Sequence, residues 1–210
     1  MNVLCNAFDL CFLDGLYTCR FRSGHTNLSN TTTQCEHFEI RANKDCPNGF
    51  FSRSRGICKN MTVLSNLAID KPATQSTTYR DYNATNAVDG NRGTNVGVDK
   101  CAYTDHGDSN PWWRVDLQAV YNITSVRILN RGIDQYGGRY VSHWLHDVTV
   151  TVGLTESDVN TPCGYFDGPG TASQLVVIDC LTSPQGRFVK ISKTTDFLTL
   201  CEVDVFGVPV

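Results

Sequence analysis

The chain has 210 residues, of which 40% are hydrophobic, with a net charge of −3 and an isoelectric point near 5.9. That is enough apolar material for one large all-β domain or two smaller units. Its basic residues form only short clusters such as "RSR" at 53–55, which read as solvated loop charge, so the electrostatic footprint of a nucleic-acid binder is missing. No apolar run is long enough for a membrane span.

The first nineteen residues, "MNVLCNAFDLCFLDGLYTC", make a poor signal peptide. They lack a basic leading region, and Asp9 and Asp14 interrupt the apolar run. Met1 is therefore expected to be internal to a longer precursor, or to stand where a leader was removed. The chain holds ten cysteines, and Asn-x-Ser/Thr sequons occur at Asn27, Asn30, Asn60, Asn83 and Asn122. Together they point to an oxidising, secreted setting and a glycoprotein.

Cysteine density divides the chain. Residues 1–62 carry Cys5, Cys11, Cys19, Cys35, Cys46 and Cys58 among turn-rich stretches such as "SGHTNLSNTTTQ". Few periodic strands are visible there. This region reads as a small disulfide-stapled module whose pairing the spacing leaves open. Its spacings match no zinc-site pattern.

Residues 63–210 read as strands separated by Gly, Pro, Asn and Asp. In "NPWWRVDL" (110–117), Trp113, Val115 and Leu117 alternate with polar neighbours. Adjacent tryptophans on a strand face opposite ways, so only one of Trp112 and Trp113 can enter a given core. "ITSVRILN" (123–130) alternates around Val126 and Ile128. "DVTVTVG" (147–153) sets Val148, Val150 and Val152 on one face, and "RFVKISK" (187–193) turns Val189 and Ile191 inward. "LCEVDVFG" (200–207) puts Cys201, Val203 and Val205 on one face, with Glu202 and Asp204 on the other. No helical period is sustained. The pattern is all-β and reads as a β-sandwich.

Four stretches carry a family resemblance: "NLAIDKPATQSTTY" (66–79), "ATNAVDGNRGTN" (84–95), "NPWWRVDLQAVYNITSVRILNRG" (110–132) and "LCEVDVFG". In this order they resemble the F-type lectin (fucolectin) domain over residues 66–208. The resemblance implies a discoidin-like β-sandwich jelly roll that contains calcium. It also implies two disulfides, Cys101–Cys201 and Cys163–Cys180. By the same resemblance, Trp113 belongs to the core and Trp112 braces the base of the loop carrying the binding residues.

Calcium takes about six to eight hard oxygens. "NAVDGN" offers Asn86, Asp89 and Asn91 around Gly90. The resemblance adds the carbonyls of Lys100 and Cys201 and the side chain of Glu202, in a structural rather than catalytic role. Lys100 departs from the family, which commonly has a hydroxyl residue there, and an ammonium beside the ion would weaken it.

The family binds fucose through one histidine and two arginines. Its Cys-x-His-Thr reads "CAYT" here, so Tyr103 holds the histidine position, and His106 could substitute if the loop bends. Arg131 in "NRG" matches the first arginine. The Arg-x-Asp-Cys-Cys that usually follows is replaced by "RGIDQYGGRYVSHW", which keeps Asp134 but has no adjacent cysteines. Counting forward, the second arginine falls near Arg139; counting backward from "LHDVTVTVG", it falls on Trp144. Aromatic residues could stack on a sugar but could not replace a charged donor.

Neither catalytic nor metal-binding histidines are expected. "HWLH" (143–146) has a spacing that converges on a metal only in a helix, and it leads into a strand. Asp105, His106 and Asp108 read as a solvated loop, not an acid–base pair. No pair of carboxylates suggests a glycosidase. The expected function is a secreted carbohydrate-binding lectin module for glycans, including fucosylated ones, with a partly altered sugar site and no enzymatic activity. Homo-oligomers would add avidity. The alternative is an adhesion protein that keeps the lectin-like fold, has lost fucose binding and uses its loops on a protein partner.

Overall fold

The computed structural model describes residues 65–132 and 141–210, together with the backbone of five strands nearer the N-terminus. The chain divides into two compact units, Met1–Val63 and Leu64–Val210.

In the first unit, β1 (Ala7–Leu13), β2 (Leu16–Phe21), β3 (Cys35–Glu39), β4 (Gly49–Ser52) and β5 (Ile57–Asn60) form an antiparallel sheet ordered β2-β1-β3-β4-β5. This corrects the expectation of few strands. Leu13 pairs with Leu16, so only Asp14-Gly15 separates β1 from β2. Asp-Gly is among the strongest short hairpin signals, and here it outweighs the weak alternation on either side. Cysteine pairing in this unit lies outside the described residues.

The second unit is a β-sandwich built around one long strand. Its strands are β6 (Ala73–Gln75), β7 (Ala102–Tyr103), β8 (Trp112–Leu129), β9 (Val148–Gly153), β10 (Thr161–Phe166), β11 (Leu175–Asp179), β12 (Gln185–Ser192), β13 (Thr199–Leu200) and β14 (Glu202–Pro209). β8 serves both layers. Its first half pairs with β12 and β6, and its second half pairs with β14 and β11. Residues 118–120 between the halves are exposed, and Gln118 has a left-handed φ of 65°. The two stretches read separately in the sequence are therefore one strand that passes from layer to layer.

Inward residues of every layer meet in one core. Val115, Val126, Ile128, Val148, Val150, Val152, Val189, Ile191, Val203 and Val205 are all fully buried. Each such side chain contributes roughly 1.5–3 kcal/mol by leaving water. Trp113 joins them, and its indole Nε1 donates to the Ala84 carbonyl at 2.8 Å, which satisfies its one polar atom. Trp112 points to the opposite face, where the Arg114 guanidinium lies 5.2 Å over its ring. It is the Trp112 backbone, not the indole, that ties to the neighbouring loop: it exchanges hydrogen bonds with Ser76.

Both disulfides implied by the resemblance form. Cys163–Cys180 links β10 to the residue after β11, and Cys101–Cys201 joins positions 100 apart in sequence. The second lies in a separate small cluster with Tyr82, Val96, Tyr103 and Leu129. The opposite face of β14 is not open to solvent: Glu202 and Asp204 are buried as well. Asp204 is covered by Arg92 and Asn66, and Glu202 by the loop around Gly90.

Candidate functional site

The small cluster around Cys101–Cys201 carries a cavity of about 300 Å³. β7 is only two residues long, yet it is held from several directions. The Tyr103 carbonyl accepts from the Tyr79 amide at 2.9 Å, and the Tyr103 amide donates to the Tyr82 carbonyl at 3.2 Å. Tyr82 in turn donates to the Tyr79 carbonyl, closing a turn over Arg80 and Asp81. On the other side Tyr103 pairs with Thr199 of β13. These bonds bring Tyr79, Tyr82 and Tyr103 together, with ring centroids 5.1–6.0 Å apart.

His106 completes this wall. A hydrogen bond of 3.3 Å joins its Nε2 and the Tyr103 hydroxyl, and its ring packs edge-on against Tyr79 and Phe197. The loop carrying it is exposed at Asp105, His106 and Gly107, as expected, and is anchored at Asp108. Asp108 accepts from the Ser76 hydroxyl at 2.5 Å and the Thr77 hydroxyl at 2.8 Å. Burial works against ionising Asp108, but these bonds and one from the Asn110 amide outweigh it and hold the carboxyl below its usual range.

Arg131 forms the floor. It is 4% exposed, with its guanidinium carbon 5.2 Å from the Trp144 ring and 5.7 Å from the Tyr103 ring. Its backbone is anchored where β8 ends: the Arg131 carbonyl accepts from Ser173, and the preceding Asn130 side chain donates to the Ser142 and Thr171 carbonyls. Trp144 ends a short 3-10 turn, Ser142–Trp144, and packs edge-on against Phe197 at 4.5 Å. The structure thus brings Tyr103, His106, Arg131 and Trp144 to one cavity. Asp134 and Arg139 lie outside the described residues.

Sequence reasoning missed Tyr79, Arg80, Tyr82 and Phe197. The available signal was aromatic residues in polar stretches that follow no core period, as in "TTYRDYN". Aromatic walls around few polar groups suit a ligand with one apolar face and one hydroxylated face. A guanidinium fork can donate to two neighbouring oxygens at once.

A buried lysine supports the Trp144 wall. Lys193 is 3% exposed, and its Nζ donates to the Trp144 carbonyl at 2.9 Å. Burial pushes its pKa below 10.5, while the charges of Asp196 and Asp147 push it back up. Between that lowered value and 10.5 the unfolded chain binds more protons, so the Lys193 contribution to stability rises with pH in that window. Lys193→Met should remove this slope from the pH–stability curve. It should also weaken ligand binding by roughly threefold to tenfold, because only part of the loss of a charge-assisted hydrogen bond within the wall is felt by the ligand. Paired unfolding curves and titrations of the two proteins check both effects.

The predicted calcium loop is tied to Glu202, the residue that follows Cys201. Gly90 has a left-handed φ of 79°, and its amide donates to Glu202 Oε1 at 3.3 Å. Asp89 Oδ1 accepts from the Asn91 amide, and Asn91 Oδ1 accepts from the Gly93 amide. Glu202 is 1% exposed, and its Oε2 has no hydrogen-bond partner. Burial, then the charges of Asp204 and Asp89, push its pKa up to about 8. The Lys100 ammonium turns away from this loop: it pairs with Asp81 at 2.9 Å and lies over the Tyr82 ring. Asn86 sits half-buried in the 3-10 turn Ala84–Ala87. Among the described residues no three His, Cys, Asp or Glu side chains gather to hold a metal. Any ion here would rely on two carboxylates, Asp89 and Glu202, supplemented by amide and backbone oxygens.

Residues 86–191 match the family model described as a NedA-like, galactose-binding domain. Fucolectin of Anguilla anguilla is 37% identical over 146 residues, which span 67% of this chain and 89% of that protein. The chain belongs to the fucolectin family of F-type lectins. Solved structures agree. The lectin domain of lectinolysin, determined with Lewis b antigen, is 31% identical with a TM-score of 0.59 and matches 68% of this chain and 96% of its own length. The fucolectin from Morone saxatilis serum is 34% identical with a TM-score of 0.60, over 69% of this chain and 49% of that one. The relatives of this F-type lectin domain are carbohydrate-binding proteins, and their shared fold is the β-sandwich described above. Among the described residues no helix is long and apolar enough to cross a membrane.

Proposed function

We propose that this chain is a secreted, non-catalytic lectin module that binds a fucosylated glycan in the cavity floored by Arg131. The observation that carries this reading is a buried guanidinium between two aromatic rings at the base of an open cavity. Arg131 would donate to sugar hydroxyls, and Trp144 or Tyr103 would meet the apolar face of the ring. Tyr103 stands where the family resemblance implies a histidine, and His106 beside it would supply the imidazole from a neighbouring position. The relatives' fucose-binding names favour fucose as the sugar seated there. A single small site binds weakly, so clustering of copies would supply avidity.

The test is calorimetric titration of the whole chain with L-fucose and with fucosylated oligosaccharides. Saturable binding supports the reading. A folded protein that binds no glycan of a broad panel overturns it and favours the loops as a protein-binding surface.

Calcium forms part of the proposal. Asp89, Asn91, Asn86, Glu202 and the carbonyls of Lys100 and Cys201 would hold it, and it would stiffen the loop that packs behind the cavity. The orphaned, buried Oε2 of Glu202 fits a cation, and the Lys100 ammonium is directed elsewhere. Calcium at a hundredfold excess over its Kd should stabilise the protein by about 2.7 kcal/mol, or roughly 5–10 °C in Tm. Chelation should reverse the shift, and Glu202→Gln should abolish the response. A melting curve indifferent to calcium would remove the ion from the account.

A further inference from the structure

We propose that Arg80 forms an anion subsite at the mouth of the cavity, so that the preferred ligand is a glycan bearing a sulfate or carboxylate next to the sugar seated on Arg131. This rests on the glycan-binding reading above and names the class of glycan.

Arg80 lines the cavity and is exposed. Among the described residues its guanidinium makes no hydrogen bond or close ion pair; it lies 5.0 Å from the Tyr79 ring and feels the charge of Asp81 only at longer range. The neighbouring negative charge is already engaged: Asp81 holds Lys100 at 2.9 Å, and that hydrogen bond keeps the Asp81 carboxyl below its usual range. No carboxylate lines the cavity among the described residues. Among the described residues the mouth therefore presents a positive charge whose one acidic neighbour, Asp81, is already held by Lys100.

The position is also built rather than incidental. Arg80 adopts a left-handed φ of 53°, which costs a side-chain-bearing residue more than it costs glycine. The turn that imposes this is closed by the Tyr82–Tyr79 hydrogen bond and pinned on both flanks to Tyr103. The guanidinium thus leaves a rigid stem, over an aromatic ring, at the rim. A neutral sugar finds its hydroxyl partners on the floor; a second, uncompensated fork at the rim is matched best by the paired oxygens of an anionic group.

The test uses the full chain and three matched oligosaccharides: neutral fucosylated, sulfated and sialylated. Exposed charge pairs contribute modestly, so the wild type should bind one or both anionic forms about twofold to fivefold more tightly than the neutral one. Raising the salt concentration should shrink the preference. Arg80→Gln should erase it, leaving neutral and anionic forms equal. Tighter binding of the sulfated form alone assigns the subsite to sulfate, and of the sialylated form alone to carboxylate; either supports the inference. Equal affinities in the wild type, or a preference that survives Arg80→Gln, overturns it while neutral binding leaves the glycan reading intact. A wild type that binds none of the three overturns both.

Discussion

Arg131→Ala should lose at least about a hundredfold in affinity for any glycan that fills the cavity. Hydrogen bonds from a charged donor are worth about 1.5–3 kcal/mol each, and the arginine fork can make two. Stability should fall less. The fold's losses include contact with the Tyr103 and Trp144 rings, about 0.5–2 kcal/mol apiece. Arg131→Lys keeps the charge but not the fork, and should fall between alanine and wild type in affinity. Calorimetry of the three proteins beside thermal unfolding separates these effects. Undiminished binding by the alanine variant would show that the sugar sits elsewhere.

The second large effect concerns the disulfides, whose removal should have unequal consequences. Replacing Cys101 and Cys201 together with alanine should cost roughly 4–5 kcal/mol, because their bond closes a loop of 100 residues. Replacing Cys163 and Cys180 should cost about 3 kcal/mol, since only 17 positions separate them. The functional difference should be greater still. Cys101–Cys201 packs directly against Tyr82 and Tyr103, so its loss should loosen the cavity wall and weaken glycan binding. Cys163 and Cys180 belong to the sandwich core, and their loss should leave affinity near wild type at temperatures where the domain stays folded. Denaturant titrations rank the stabilities, and glycan titrations of both variants test the separation.

How much of this was readable beforehand varies with how strongly each segment is patterned. β9, β12 and β14 announce themselves because one face is buried, so every second residue is Val or Ile. The same rule misleads at Glu202 and Asp204. Alternation places them on the other face but cannot show that Arg92 and the Gly90 loop cover it. β8 reads as two pieces because its apolar period breaks at 118–120, where it crosses between layers. In the first unit the reading stopped at cysteines and turn residues and passed over the Asp-Gly that joins β1 to β2. Around the cavity, family spacing led to Tyr103, Arg131 and Trp144. The Arg80 turn and Phe197 escaped because tertiary contacts, not periodicity, bring them there.

The pairing of β7 with β13 bears on the order in which the protein becomes functional during synthesis. The Tyr103 strand meets its partner only through Thr199 and Leu200, and Cys101 waits for Cys201. On a ribosome the cavity therefore has no finished wall until Thr199, Leu200 and Cys201 have emerged. A chain cut short before β13 would retain Arg131 and Trp144 but not the strand and disulfide that hold Tyr103 opposite them. Such late, sequence-distant closure is slow to form. A closed cavity wall would thus report that β13 had been made and that Cys101 and Cys201 had been oxidised.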